Sequence, residues 1–199
     1  MKKYAMVFDA GTGAGRCNLF DMSGRLVSYA YREWEYLKDL SSSNKEAMLF
    51  DAEQFKKILF SLCRKVITQA GISADEIVAV SATSQREGMV WLDRFGKEIY
   101  AAPSVDLRGE EAADILSGKE PFIKEITGLP VSGMFGLARL LWYKKFNEAV
   151  YDRIDTVMMI SDWICYLLCG SKVSEPSVAS SSQLFDVKNG KWSSELLKS

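Results

Sequence analysis

The order of elements in the first 83 residues is the feature that most constrains the fold of this chain. Runs of β-forming apolar residues predict three strands, at 4–8, 16–21 and 26–34. Short turns join them, so we expect an antiparallel meander. A helix follows, capped by Asp51 with Gln54 at the capping-box position and ended by Gly71. The apolar run 77–83 then predicts a central strand covered on both faces. The order is β-β-β-α-β, which indicates an α/β fold.

The rest of the chain has a more helical pattern. We expect a hairpin of strands 89–92 and 97–101. Helices are predicted at 108–116, 122–127, 136–146, 148–153 and 162–168, with a serine-rich stretch at 171–182 and a helix starting near 192.

Composition excludes several classes of function. The chain contains no histidine, which rules out Ser-His-Asp and Cys-His catalysis and imidazole metal sites. Lys plus Arg is 25 and Asp plus Glu is 26, so neither a nucleic acid nor a membrane is expected as a partner. The four cysteines form no C-x-x-C pair and are read as buried, reduced thiols. With no signal-peptide pattern and no spanning apolar run, we expect a cytoplasmic protein.

A glycine-rich turn follows the first strand, with the sequence Asp9-Ala-Gly-Thr-Gly-Ala-Gly-Arg16. Glycines let the backbone approach a bulky anion, and backbone N–H groups, Thr12 and Arg16 are all donors to phosphate oxygens. The spacing fits neither a Walker A loop nor a Rossmann fingerprint. The alternative is a glycine-rich hairpin without a ligand, in which Asp9 is only a turn residue.

A second polar segment, Ser84-Gln-Arg-Glu-Gly88, follows the predicted central strand. It delivers an amide, a cation and an anion to one end of the sheet, a mixture that suits a polyol because hydroxyls both donate and accept. The alternative is a solvated turn with a local Arg86–Glu87 pair.

These two segments, in this order, resemble the motifs of the FGGY carbohydrate kinases. Val105-Asp-Leu-Arg108, Thr127-Gly-Leu-Pro130 and the segment from Asp162 to Gly170 are also similar to that family, and the resemblance covers residues 4–197. It implies an actin/ribonuclease-H-like (ASKHA) domain with a mixed sheet and helical insertions. Residues 1–104 would form the ribonuclease-H-like core and 105–199 a mainly helical sugar-side region. The C-terminal ATP-binding domain of the family is absent from these 199 residues.

The resemblance also implies roles for particular residues. The reaction would be ATP-dependent phosphorylation of a small sugar, with Mg²⁺ held by Asp9 through water and the general base, an Asp, beyond Ser199. The implied phosphate-binding residues are Gly11, Thr12, Gly13 and Arg16. The implied substrate-binding residues are Gln85, Arg86, Glu87 and Asp106.

Several alternatives stay open at this stage. Asp106 either lines the sugar site or caps the helix that follows, and Asp162 is read as a helix cap. Residues 177–182 are either a loop on the sugar side or a polar connection, and the composition favours the connection. Ser104 and Met134 depart from the glycerol-kinase pattern, which weakens glycerol as the substrate; xylulose, gluconate and glycerol kinases remain alternatives. A non-catalytic sugar-binding module is the competing class, and exposed core surface makes a homodimer conceivable.

Overall fold

The computed structural model describes residues 3–198, and its main sheet has four strands in the order β3-β2-β1-β6. These strands are β1 (Tyr4–Ala10), β2 (Ala14–Asp21), β3 (Leu26–Glu33) and β6 (Ile77–Ser84). β1, β2 and β3 pair antiparallel, which confirms the meander, while β1 and β6 pair parallel. In that parallel register Ala10 lies beside Ser84, so the carboxyl ends of β1 and β6 meet at one edge of the sheet.

Helix α1 (Ala52–Ala70) covers one face of this sheet. The Asp51 side chain accepts a hydrogen bond from the Gln54 amide at 3.0 Å, and Gly71 ends the helix in the left-handed conformation. Its apolar stripe packs on Met6, Phe8, Cys17 and Leu19. This confirms the predicted cap at Asp51 and the predicted end at Gly71.

Strand β6 is not the doubly covered strand that its apolar sequence predicts. It lies at the edge of the sheet, and Val78 and Val80 are 50% and 45% exposed. An apolar run predicts that a strand is buried, but it does not show which other element packs on each of its faces.

A second sheet has the order β8-β7-β9 and is antiparallel throughout. Its strands are β7 (Met89–Leu92), β8 (Glu98–Ala102) and β9 (Thr156–Met159). Side chains alternate along β7, so Val90 and Leu92 belong to the core that includes the main sheet, while Met89 and Trp91 belong to a second core under the helices. The predicted hairpin is confirmed, whereas β9 was not predicted.

The later helices are short. They are α2 (Glu120–Thr127), α3 (Gly136–Phe146), α4 (Glu148–Tyr151), α5 (Ile160–Cys169) and α6 (Pro176–Ala179). Two-residue strand pairs link β4 (Leu37–Lys38) with β5 (Met48–Leu49), and β10 (Phe185–Asp186) with β11 (Lys191–Trp192). Residues Arg108–Leu116 form 3-10 turns instead of an α-helix. The helix predicted near 192 is replaced by β11 and a 3-10 turn at Leu196–Lys198.

Strand β9 pairs with β7 across the predicted division at 104/105. Within residues 3–198 all four cysteines are free; Cys17 is buried as expected, but Cys169 is exposed. The described part of the chain contains no helix long and apolar enough to cross a membrane.

Candidate active site

Asp9 lies near the carboxyl end of β1, with its side chain about one-third exposed. The Arg16 guanidinium donates from Nη1 to Asp9 Oδ2 at 3.2 Å and also stacks over the Tyr31 ring. Arg16 therefore orients Asp9, while Oδ1 of the carboxylate has no hydrogen-bond partner within residues 3–198.

The glycine-rich turn between β1 and β2 is held by its carbonyl groups. Gln85 Nε2 donates to Gly11 O at 3.3 Å, Trp34 Nε1 donates to Thr12 O at 3.2 Å, and the Trp34 amide donates to Gly13 O at 3.1 Å. In the described part of the chain the Thr12 and Gly13 amides have no acceptor. A cleft of about 430 Å³ opens beside the turn, lined by residues that include Gly11, Thr12, Gly13 and Arg16. Free amides and a guanidinium beside a cleft make this turn suitable for binding an anion.

The second motif turns sharply after β6. Glu87 has φ 57°, a left-handed conformation that is uncommon for a residue other than glycine. Arg139 Nη1 donates to Glu87 O at 2.8 Å, and the Glu87 amide donates to Ser181 Oγ at 3.4 Å. Burial raises the pKa of Glu87, and the positive charges of Arg139 and Arg86 oppose that rise.

The Gln85 side chain, which is predicted to bind the substrate, is bonded to protein groups at both ends. Its Oε1 accepts from both the amide and the hydroxyl of Ser104, at 2.8 and 2.9 Å, and its Nε2 donates to Gly11 O and to the Tyr36 hydroxyl. Both ends of the amide are therefore occupied by protein. In this structure Gln85 links the glycine-rich turn to the second motif and has no hydrogen-bonding capacity left for a sugar.

Asp106 has a carboxylate that is occupied by protein partners, which argues against its predicted contact with the substrate. It is fully buried, and Oδ2 accepts from the Tyr100 hydroxyl at 2.5 Å and from Arg108 Nε at 2.8 Å. Arg108 Nη1 continues to Asp39 and to the Tyr143 hydroxyl, each at 2.8 Å. Burial raises the pKa of Tyr100 well above its usual range. Asp106 is thus the centre of a buried network that supports the fold.

Two further expectations change. Helix α5 begins at Ile160, so Asp162 lies in its first turn and does not cap it; instead Asp162 Oδ1 accepts from the Glu175 amide at 3.1 Å. The serine-rich stretch was expected to be a polar connection, yet Ser181 is buried against the Glu87 amide.

Three residues of this site were missed from the sequence, namely Trp34, Tyr36 and Arg139. Trp34 ends the third predicted strand and Tyr36 follows it, and neither belongs to a motif. Arg139 did carry a signal, because it is a charged residue in the apolar run 137–142. A cation in such a run requires internal acceptors when it is buried.

The sequence from 4 to 199 matches the model of the N-terminal domain of the FGGY family of carbohydrate kinases. The chain belongs to this family. It is 33% identical over 201 residues to an autoinducer-2 kinase from Salmonella paratyphi B, covering 98% of this chain and 37% of that kinase.

Solved structures of FGGY-type kinases have the same fold. A xylulose kinase from Brucella ovis superposes with a TM-score of 0.87 at 22% identity, covering 97% of this chain and 39% of that protein. A gluconate kinase from Lactobacillus acidophilus gives 0.84 at 21% identity, covering 100% and 39%. The actin/ribonuclease-H-like fold is therefore confirmed, and the chain spans well under half the length of these FGGY proteins.

Proposed function

We propose that this chain is the N-terminal part of an ATP-dependent carbohydrate kinase that binds a small sugar beside the transferred phosphate. The observation that carries the proposal is the meeting of the two motifs at one edge of the sheet. The Gln85 amide donates to Ala10 O at 2.8 Å, and its side chain reaches Gly11. An anion at one turn and a polyol at the other would therefore lie on adjacent strands.

The glycine-rich turn has the donors for the phosphate side. The free Thr12 and Gly13 amides, with the Thr12 hydroxyl, donate to phosphate oxygens while Gly11 permits close approach. Arg16 orients Asp9 and adds positive charge to the cleft. Phosphoryl transfer depends mainly on positioning and charge stabilisation, which fixed amides provide without reorganisation.

Arg86 and Glu87 have the chemistry for the sugar side. Arg86 donates to a hydroxyl oxygen and Glu87 accepts from a hydroxyl hydrogen, and hydrogen bonds to charged groups contribute about 1.5–3 kcal/mol each. Gln85 positions this pair without touching the sugar itself.

The residues fit a magnesium ion held mostly by water and phosphate. Residues 3–198 contain no cluster of three acidic, His or Cys side chains suited to a metal ion, but Asp9 is partly exposed and its Oδ1 has no hydrogen-bond partner among them. When bound, Mg²⁺ neutralises charge on the phosphates. Asp9 would hold it through water.

The general base and the adenine site are proposed to lie beyond Ser199, in the part of the FGGY kinases that this chain does not match. Within the chain, we propose that residues 1–104 form the ribonuclease-H-like core and 105–199 the sugar-side region. Strand β9 of the second region pairs with β7 of the first. An ATP-using kinase with free thiols is expected in the cytoplasm.

Autoinducer-2 is the proposed substrate, because the kinase of that name is 33% identical over nearly the whole chain. The likeness to xylulose and gluconate kinases is at 21–22% identity and supports the fold only.

The test uses the kinase that contains this chain, with ATP consumption measured against autoinducer-2, xylulose, gluconate and glycerol. We expect the highest kcat/KM for autoinducer-2. Asp9→Asn should lower turnover about 100-fold, because the neutral amide would hold Mg²⁺ less well and the charge that develops on the phosphates would be less stabilised. Sugar affinity should be unchanged, because Asp9 is not assigned to the sugar. Asp152→Asn, at an exposed position, is the control. Sugar binding without any ATP consumption would instead identify a non-catalytic sugar-binding module.

A further inference from the structure

We propose that Arg139 is a positioning residue that fixes Glu87 in the conformation that accepts the sugar hydroxyl. The inference rests on the proposed function, since it assumes that Glu87 binds the sugar.

The first observation is the setting of the Arg139 side chain. It extends from helix α3 and is completely buried. No carboxylate lies within ion-pair distance among residues 3–198; the guanidinium donates only to two main-chain carbonyls, Glu87 O at 2.8 Å and Ser104 O at 3.2 Å, and Nε has no partner. A buried cation without a counter-ion is unfavourable for folding, and an apolar residue would suit the core better. A role in the site would account for the presence of arginine here.

The second observation is the strained geometry that Arg139 holds. Glu87 has positive φ without being glycine, and such a conformation persists only when its surroundings fix it. The planar guanidinium bridges Glu87 to the loop at Ser104, so one side chain sets the relation between two segments. Ser181 and the hydrogen bond from the Ile160 amide to Gly88 O complete the support of the turn.

The third observation is electrostatic. The charged groups that face Glu87 are Arg86, on the same turn, and Arg139, from α3. Their charge opposes the effect of burial, which otherwise favours the protonated carboxyl group. Arg139 therefore acts on Glu87 in two ways: it holds the backbone through the hydrogen bond to Glu87 O, and its charge favours the ionised form of the side chain.

The experiment compares Arg139→Met and Arg139→Lys in the kinase that contains this chain. For the Met variant we expect the KM for the sugar to rise at least about tenfold, with the KM for ATP within about twofold, because one hydrogen-bonded charge is worth roughly that factor. The acid limb of kcat/KM should move to higher pH. The Lys variant keeps the positive charge but lacks the planar guanidinium that bonds to two carbonyls at once. The acid limb of its pH profile should therefore stay near that of the wild type, while its KM for the sugar is only partly restored.

Leu141→Ala on the same helix is the matched control, because it weakens the second core without touching Glu87. It should lower the melting temperature and leave the ratio of the two KM values unchanged. Equal changes in both KM values for Arg139→Met, or the same pattern in Leu141→Ala, would overturn the proposal.

Amide hydrogen exchange separates this proposal from the proposed function. Arg139→Met should speed exchange at Glu87 and Gly88 in the absence of any sugar. Faster exchange in a protein that phosphorylates none of the four sugars would support the positioning role of Arg139 but refute the proposed kinase function. If the wild-type kinase is active and Arg139→Met leaves the exchange rates unchanged, only the positioning role of Arg139 is refuted.

Discussion

Replacing Gly15 by alanine tests how the glycine-rich turn is supported. Gly15 lies in β2, and a Cβ atom there would come within 2.4 Å of Trp34 Cζ3 and 2.8 Å of Cη2. Ordinary contacts are about 3.5–4.0 Å, so the indole must move by about 1 Å. That indole donates to Thr12 O and packs on Phe55 with ring centroids 4.4 Å apart.

The expected cost combines three effects. Overpacking costs about 2 kcal/mol, and losing the hydrogen bond to Thr12 O costs about 1 kcal/mol. Removing a glycine from a strand returns about 0.5–1 kcal/mol. The free energy of unfolding should therefore fall by about 2 kcal/mol, which lowers the melting temperature of a chain of this size by about 4–8 °C.

Thermal unfolding followed by circular dichroism measures this effect, and Gly13→Ala is its control. A Cβ atom at Gly13 meets nothing within 4 Å, so this variant gains only the benefit of removing a glycine and should unfold at the wild-type temperature or up to about 4 °C above it. Equal melting temperatures for the two variants would refute the conclusion that the Trp34 indole fixes the turn.

Three other predictions concern separate parts of the site. Because burial raises the pKa of Glu87, sugar affinity should weaken on acidification at a pH above the ordinary range of a glutamate, and Glu87→Gln should remove that dependence in calorimetric titrations. Asp106→Asn should lower the free energy of unfolding by about 3 kcal/mol in urea titrations, because it disrupts the buried pair with Arg108; a loss below 1 kcal/mol would contradict the network. Tyr36→Phe removes the hydroxyl that accepts from Gln85 and should cost about 1 kcal/mol in the same assay, whereas Tyr29→Phe, at an exposed position, should cost nothing measurable.

Local signals predicted the first half of the fold well. The helix cap at Asp51, the left-handed Gly71 and the meander are all determined by residues near each other in sequence. β9 escaped because Thr156–Met159 and helix α5 share one apolar run, in which periodicity does not mark the change from strand to helix.

The site itself was only partly predictable. The glycine-rich turn and the segment at Glu87 are each contiguous in sequence, so both could be proposed from their motifs. The roles of Gln85 and Asp106 were not, because residue type indicates which hydrogen bonds a side chain makes but not with which partner. Gln85 bonds to Ser104 and Asp106 to Met48, pairs that are 19 and 58 positions apart. Such pairings are set by the packing of the whole domain.

The alternation along β7 has a consequence for how the molecule unfolds. Val90 and Leu92 belong to one core, and Met89 and Trp91 belong to the other. Unfolding either core would displace β7 and so remove two side chains from the other core as well. The two halves should therefore lose structure together, in a single calorimetric transition whose van't Hoff and measured enthalpies agree. A destabilising substitution in the helical region should then lower the stability of the whole domain, including the glycine-rich turn. No unfolding intermediate should be populated in which that turn stays folded while the helical region is unfolded.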